Sequence, residues 1–284
     1  MSLTDMNTDT HTGADTHTGT GTLESLTRED GTTVTYHRLG EGEQIITCLH
    51  SLGLDGSWYA PLADEIGDAY TLLAPDFRGH GGSDFGTEGP TLRAIAGDVI
   101  ALWDSLGIES SPIMGISYGG MVAQAVTALA DGRVSAQILM ATRGAFDEKS
   151  TEATLGRAAA TRVPGGVEDA LETTMNRWFG EESTNPDNPL VACGRKQYLA
   201  VGADTLATCF ESMVTVGDYA VADPPPTLVL GGTDDRSTPR AGIEALAASV
   251  DGAQLRFVDG GHLVAFDRPH VVAEAIIPFL TTLD

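Results

Sequence analysis

The stretch PIMGISYGGMVAQAVTALA, residues 112–130, decides the fold. It opens as a short apolar run, Ile113 to Ile116, and continues from Met121 as a helical pattern of small and apolar residues. Between the two lies Gly115-Ile116-Ser117-Tyr118-Gly119-Gly120. A strand that enters a helix through so short a connection turns sharply and forces the middle residue into strained backbone angles. Flanking glycines are needed because side chains there would clash. The turn presents the Ser117 hydroxyl at a helix N-terminus, where free N–H groups and the positive dipole end favour a developing negative charge. Serine also caps helices in a purely structural way. The strand-turn-helix placement favours a nucleophile over a cap.

Outward from this turn, short apolar runs alternate with helical patterns. TTVTYHRL alternates, whereas QIITCLH, YTLLAP, VSAQILMA and PTLVLGG are nearly continuous apolar segments. Such runs suit strands buried on both faces by helices. In TLRAIAGDVIALWDSLGI, residues Leu92, Ile95, Val99, Trp103 and Leu106 recur at helical spacing. The alternation predicts an α/β fold with a doubly wound, mostly parallel sheet. From about Phe146 to Ala220 the strand rhythm stops, and GGVEDALETTMNRWF places Val167, Leu171, Met175 and Trp178 on one helical face. This segment reads as an inserted helical cap over the carboxyl edge of the sheet, where open α/β sheets bind ligands. The expected division is a disordered, Thr/Gly/Asp/His-rich tail over 1–22, a core over 23–145, the cap over 146–220 and the rest of the core over 221–284. His11 and His17 in the tail's repeated THTG read as solvated rather than metal-binding.

Across 284 residues, 40 acidic side chains face 16 basic ones, a formal charge of −24 with no compensating basic run. That balance argues against nucleic-acid partners. No segment reaches the ~20 apolar residues of a membrane span and no secretory signal core is visible, so a soluble cytoplasmic protein is expected. Lys149 and Lys196 are the only lysines, a composition that suits high salt. Cys48, Cys193 and Cys209 are widely spaced, which supports neither disulfides nor zinc and suggests small core residues.

A serine hydroxyl needs a base, and the base needs an acid to orient it. After LRFVDG comes Gly261-His262-Leu263, a Gly-rich loop from which His262 can reach over the sheet edge. His270, in the final helix pattern, reads as a surface residue. PTLVLGGTDDRSTP supplies the acid, and its register favours Asp235 over Asp234. Two N–H donors must meet an oxyanion. Tyr118 offers one, and the loop after QIITC offers the other from Leu52, with Ser51 as second choice and substrate contact. His50 and His80 read as loop-shaping residues.

Together HSLG, DFRGHGGSD, GISYGG, GGTDDRSTP and GGHLVAFDRP resemble the α/β-hydrolase fold family over about residues 24–284. Within it, HSLGLDGSWY and the cap run with Arg177-Trp178-Phe179 resemble 3-oxoadipate enol-lactonases. His50 stands where many of these carry asparagine, and Asp267 where glutamate is more usual. The resemblance implies a Ser117–Asp235–His262 triad that hydrolyses an enol-lactone with a free carboxylate, in aromatic breakdown, without metal or organic cofactor. An anionic substrate meeting a chain of charge −24 needs local positive charge. Arg177 with Trp178 on the cap, and Arg143 after QILMAT, are the candidates, against a reading in which Trp178 only packs the cap and Arg177 faces water. A carboxylesterase or cofactor-free perhydrolase on the same triad, and a non-catalytic small-ligand receptor, are the competing readings. A dehalogenase would carry aspartate in place of Ser117. The partner expected is a small ester or lactone, with no nucleic acid and no membrane, and a homo-oligomer left open.

Overall fold

The computed structural model describes residues 21–282. Eight strands form one sheet: β1 Gly21–Thr27, β2 Thr33–Leu39, β3 Gln44–Leu49, β4 Tyr70–Pro75, β5 Ser111–Ile116, β6 Val134–Met140, β7 Thr227–Gly232 and β8 Gln254–Val258. Their spatial order is β1-β2-β4-β3-β5-β6-β7-β8. The β1–β2 and β2–β4 pairs are antiparallel, and every pair from β4 to β8 is parallel. The order reverses beside β3 and β5, which places a switch point where their carboxyl ends meet.

The helices are α1 Ala60–Ile66, α2 Leu92–Leu106, α3 Tyr118–Leu129, α4 Glu148–Thr161, α5 Gly166–Phe179, α6 Pro189–Val201, α7 Ala203–Met213, α8 Arg240–Ser249, α9 Val264–Asp267 and α10 Pro269–Leu280. α1 packs on α10 and α2 on α3, giving the two helical layers of a doubly wound sheet. Strands β5 and β7 are buried almost throughout, as their unbroken apolar runs require. In α2, Leu92, Ile95, Val99 and Trp103 are buried, whereas Leu106, in the last turn, is exposed. Helices α4 to α7 lie between β6 and β7 as an inserted cap, with α4 packed on α7 and α5 on α6.

Three expectations change. The tail expected over 1–22 lies almost wholly outside the described residues, as do His11 and His17, but Gly21 and Thr22 open β1. The first strand therefore precedes TTVTYHRL, the first run named from the sequence. β1 is an edge strand in which Leu26 is the one part-buried residue, so it carries no apolar signature and is held by its ladder with β2. Cys48 and Cys209 are buried, but Cys193 is exposed on α6 and is not a core residue. Among the described residues no helix is long and apolar enough to cross a membrane.

Candidate active site

Ser117 sits between the last residue of β5 and the first of α3 with φ 56° and ψ −116°. Two features hold it there. Its N–H donates to the Met140 carbonyl at 2.9 Å, and its carbonyl accepts from the Thr142 hydroxyl at 2.7 Å, so the exit from β6 grips the turn. The second is space: a Cβ on Gly115 would lie 2.2 Å from the Gly119 carbonyl oxygen, and one on Gly119 would lie 2.1 Å from that of Leu49. Backbone cannot yield at such distances, so glycine at both positions follows from the turn itself.

Asp235 lies in the loop after β7. Its Oδ1 accepts the N–H groups of Ser237 at 2.7 Å and Thr238 at 2.8 Å, which fixes the carboxylate. Both of its oxygens stand 3.0 Å from Nδ1 of His262, in the loop after β8. The two side chains are 2% and 1% exposed, so this pair is buried. With Nδ1–H donating to the carboxylate, Nε2 is left as the acceptor. Asp234 is exposed, and its N–H ties its loop to the Gly260 carbonyl at 2.9 Å. His270 is exposed on α10.

The two other histidines of the strand-edge loops are locked as neutral rings. His50 Nε2 accepts the Phe77 N–H at 2.9 Å while Nδ1–H donates to the Ser51 carbonyl at 2.8 Å. His80 Nε2 accepts the Gly53 N–H at 3.1 Å while Nδ1–H donates to the Arg78 carbonyl at 3.1 Å. Burial, the largest cause in each, pulls their pKa values down to about 3 and about 4. Each ring bridges the loop after β3 to the loop after β4, and so shapes the segment that carries Ser51 and Leu52. Asp76 braces the same loops, accepting the Gly56 N–H at 2.8 Å and the Gly82 N–H at 3.0 Å. Burial works to raise its pKa, but the His37 contact and its N–H donors outweigh burial and hold it down at about 2.

A cavity of about 240 Å³ lies between core and cap. The core contributes Ser51, Leu52, Ser117, Met121 and His262, and the cap contributes Arg157 from α4, Arg177 and Trp178 from α5, Tyr198 from α6, and Phe210 and Met213 from α7. Arg143 and Phe146 lie where the chain enters the cap. Trp178 is buried and meets Tyr198 edge-on at 5.9 Å, so it both packs the cap and faces the cavity. The Tyr118 phenol turns away, donating to the Pro90 carbonyl at 2.6 Å, which leaves its backbone N–H, the first of α3, at the turn. The Leu52 side chain lines the cavity on the loop opposite.

The cavity inverts the charge of the molecule. Three arginines, 143, 157 and 177, line it, and among the described residues no aspartate or glutamate does. Arg157 is the one that sequence reasoning missed. On α4 it follows Ser150 and Thr154, which also line the cavity, at helical spacing, a periodicity visible in EKSTEATLGR once that face is known to look inward. A larger cavity of about 490 Å³ adjoins it through Arg143 and Ser150, but neither Ser117, Asp235 nor His262 lines that space. Size therefore does not mark the chemistry here. Taken together, a serine at a strained turn, an imidazole oriented by a buried carboxylate, and the Tyr118 N–H beside the serine suit acyl transfer through a tetrahedral oxyanion.

Residues 48–275 match the model of the alpha/beta hydrolase family. Over their full length the relatives are distant. BpoC of Mycobacterium tuberculosis, whose name assigns it provisionally to the non-heme bromoperoxidases, is 27% identical over 88% of this chain and 98% of its own. The 3-oxoadipate enol-lactonase 1 of Acinetobacter baylyi is 24% identical over 91% of this chain and 97% of its own. The crystal structure of the enol-lactonase from Burkholderia xenovorans superposes with a TM-score of 0.82 at 26% identity, covering 91% of this chain and all of that one, 100%. With residues 48–275 matched, from the end of β3 through the serine turn and the cap into α10, the chain belongs to the alpha/beta hydrolase family.

Proposed function

We propose that this hydrolase cleaves a small anionic ester or lactone through a serine acyl-enzyme, with 3-oxoadipate enol-lactone as the substrate. The observation that carries the reading is one cavity lined by Ser117, His262 and three arginines, and by no carboxylate among the described residues. At about 240 Å³ it has room for a compact acid. The enol-lactonase relatives support the same choice.

In this mechanism His262 Nε2 takes the Ser117 proton as Oγ attacks the lactone carbonyl, and Asp235 holds the imidazole in the tautomer that lets it do so. The N–H groups of Leu52 and Tyr118 receive the oxyanion. Collapse expels an enolate, which takes a proton and tautomerises to the ketone. His262 then activates water, which releases the acid and restores Ser117.

Turnover of the enol-lactone beside short p-nitrophenyl esters tests this. The lactone should be the better substrate, and Ser117→Ala should lower its kcat by roughly 10⁴-fold or more. Asp235→Asn should cost about 10³- to 10⁴-fold by misorienting His262. Ester turnover without lactone turnover would replace the lactonase reading with a general esterase.

A further inference from the structure

The two cap arginines that line the cavity, Arg157 and Arg177, have no counter-charge among the described residues. Elsewhere on the cap, Arg162 pairs with Glu211 and Arg195 with Glu172. Among the described residues Arg157 and Arg177 make no ion pair, although the chain carries 40 acidic residues. They act on each other: burial first and then Arg177 lower the Arg157 pKa to about 10, which leaves it cationic at neutral pH. Two like charges held together at a cavity wall call for an anion between them. The Arg157 guanidinium carbon lies 4.3 Å from the Phe210 ring centre, a cation–π contact that uses none of its N–H donors.

A second, independent observation points the same way. Tyr198 is 1% exposed, and its hydroxyl is a buried polar atom with no hydrogen-bond partner, in the wall of the same cavity. Its ring is set by the edge-on contact with Trp178. A hydroxyl so placed is unfavourable unless a ligand satisfies it.

We propose that Arg157 and the Tyr198 hydroxyl, on two different cap helices, form with Arg177 the subsite that binds the free carboxylate of the substrate and keeps hold of the dicarboxylate product. The proposal rests on the hydrolytic reading above and names the groups that give it selectivity. In hydrolysis the acyl C–O bond breaks, water supplies hydroxide to the acyl carbon and a proton to the leaving oxygen, and the new acid ionises. A monoanionic substrate thus becomes a dianion in a cavity lined by three cations. Short dicarboxylates are therefore competitive inhibitors, and the cap discriminates between an ester that bears a free carboxylate and its neutral counterpart.

Monomethyl adipate and dimethyl adipate test this because they share one acyl chain and differ in a single charge. The wild-type kcat/KM should favour the monoester by about tenfold or more. Arg157→Met and Tyr198→Phe should each reduce that ratio, and Arg157→Lys should recover part of it, with circular dichroism confirming the fold. In parallel, calorimetry on Ser117→Ala should detect adipate binding that weakens by about tenfold when Arg157→Met is added. A monoester preference unchanged in both variants, or adipate binding indifferent to Arg157, overturns the subsite. The hydrolytic reading fails separately. Arg157-dependent adipate binding by a protein that cleaves neither ester keeps the subsite and removes the enzyme, whereas equal cleavage of both esters without adipate binding does the reverse.

Discussion

Ser117 occupies a backbone conformation that costs a residue with a Cβ about 1–3 kcal/mol, and its surroundings supply the compensation. That dependence can be measured. Gly119→Ala places a methyl 2.1 Å from the Leu49 carbonyl oxygen, so urea unfolding should show a loss of about 2 kcal/mol or more, together with lost turnover. Gly242→Ala, inside α8 with nothing within 4 Å of the new carbon, should instead gain about 0.5–1 kcal/mol. Equal effects at the two sites would mean that the clash is relieved by movement of β3. At this scale the sequence was informative where a side chain's neighbourhood is local. Ser117 is read from its own turn, and Asp235 from its register after β7, where the structure brings it against His262. Arg157 was not legible, because its counter-charge is missing only in three dimensions and nothing within α4 says which face looks inward.

The loops after β3 and β4 act as one element stitched by His50 and His80. Both rings are neutral in the fold, with pKa values near 3 and 4, whereas in the unfolded chain an imidazole titrates at about 6.5. Between those values the unfolded chain binds more protons, so stability falls as pH drops. His50 alone should withdraw about 2 kcal/mol between pH 7 and pH 5, above the range where most carboxylates titrate. Urea midpoints measured across that interval check this, and His50→Asn should flatten the slope even though it lowers stability at pH 7. An unchanged slope would show that the ring is already charged in the fold. The central strands were legible as elements from their unbroken apolar runs. β1 was not, because an exposed edge strand has no burial pattern to read and depends on pairing with β2.

At the scale of the whole molecule, the charge of −24 and the arginine-lined cavity pull in opposite directions. Self-repulsion among so many carboxylates weakens the compact state, and salt screens it over about 10 Å at 0.1 M. The melting temperature should therefore rise by a few degrees between about 20 and about 500 mM NaCl, and a steady fall would assign more weight to exposed pairs such as Arg162 with Glu211. The cap has a further consequence, set by topology. β6 and β7 are parallel neighbours, so the chain leaving the carboxyl end of one must return to the amino end of the other, and in this protein that return follows the cap, through the 3-10 turn Val216–Tyr219 packed on α3 and residues 220–226. A parallel pair needs a crossover of a dozen residues or more. The roof and the way back are thus separate pieces of chain, and anyone who grafts a different lid here inherits a mechanical condition: the return after the lid must be kept, because a short bridge straight from β6 to β7 would leave β7 running the wrong way.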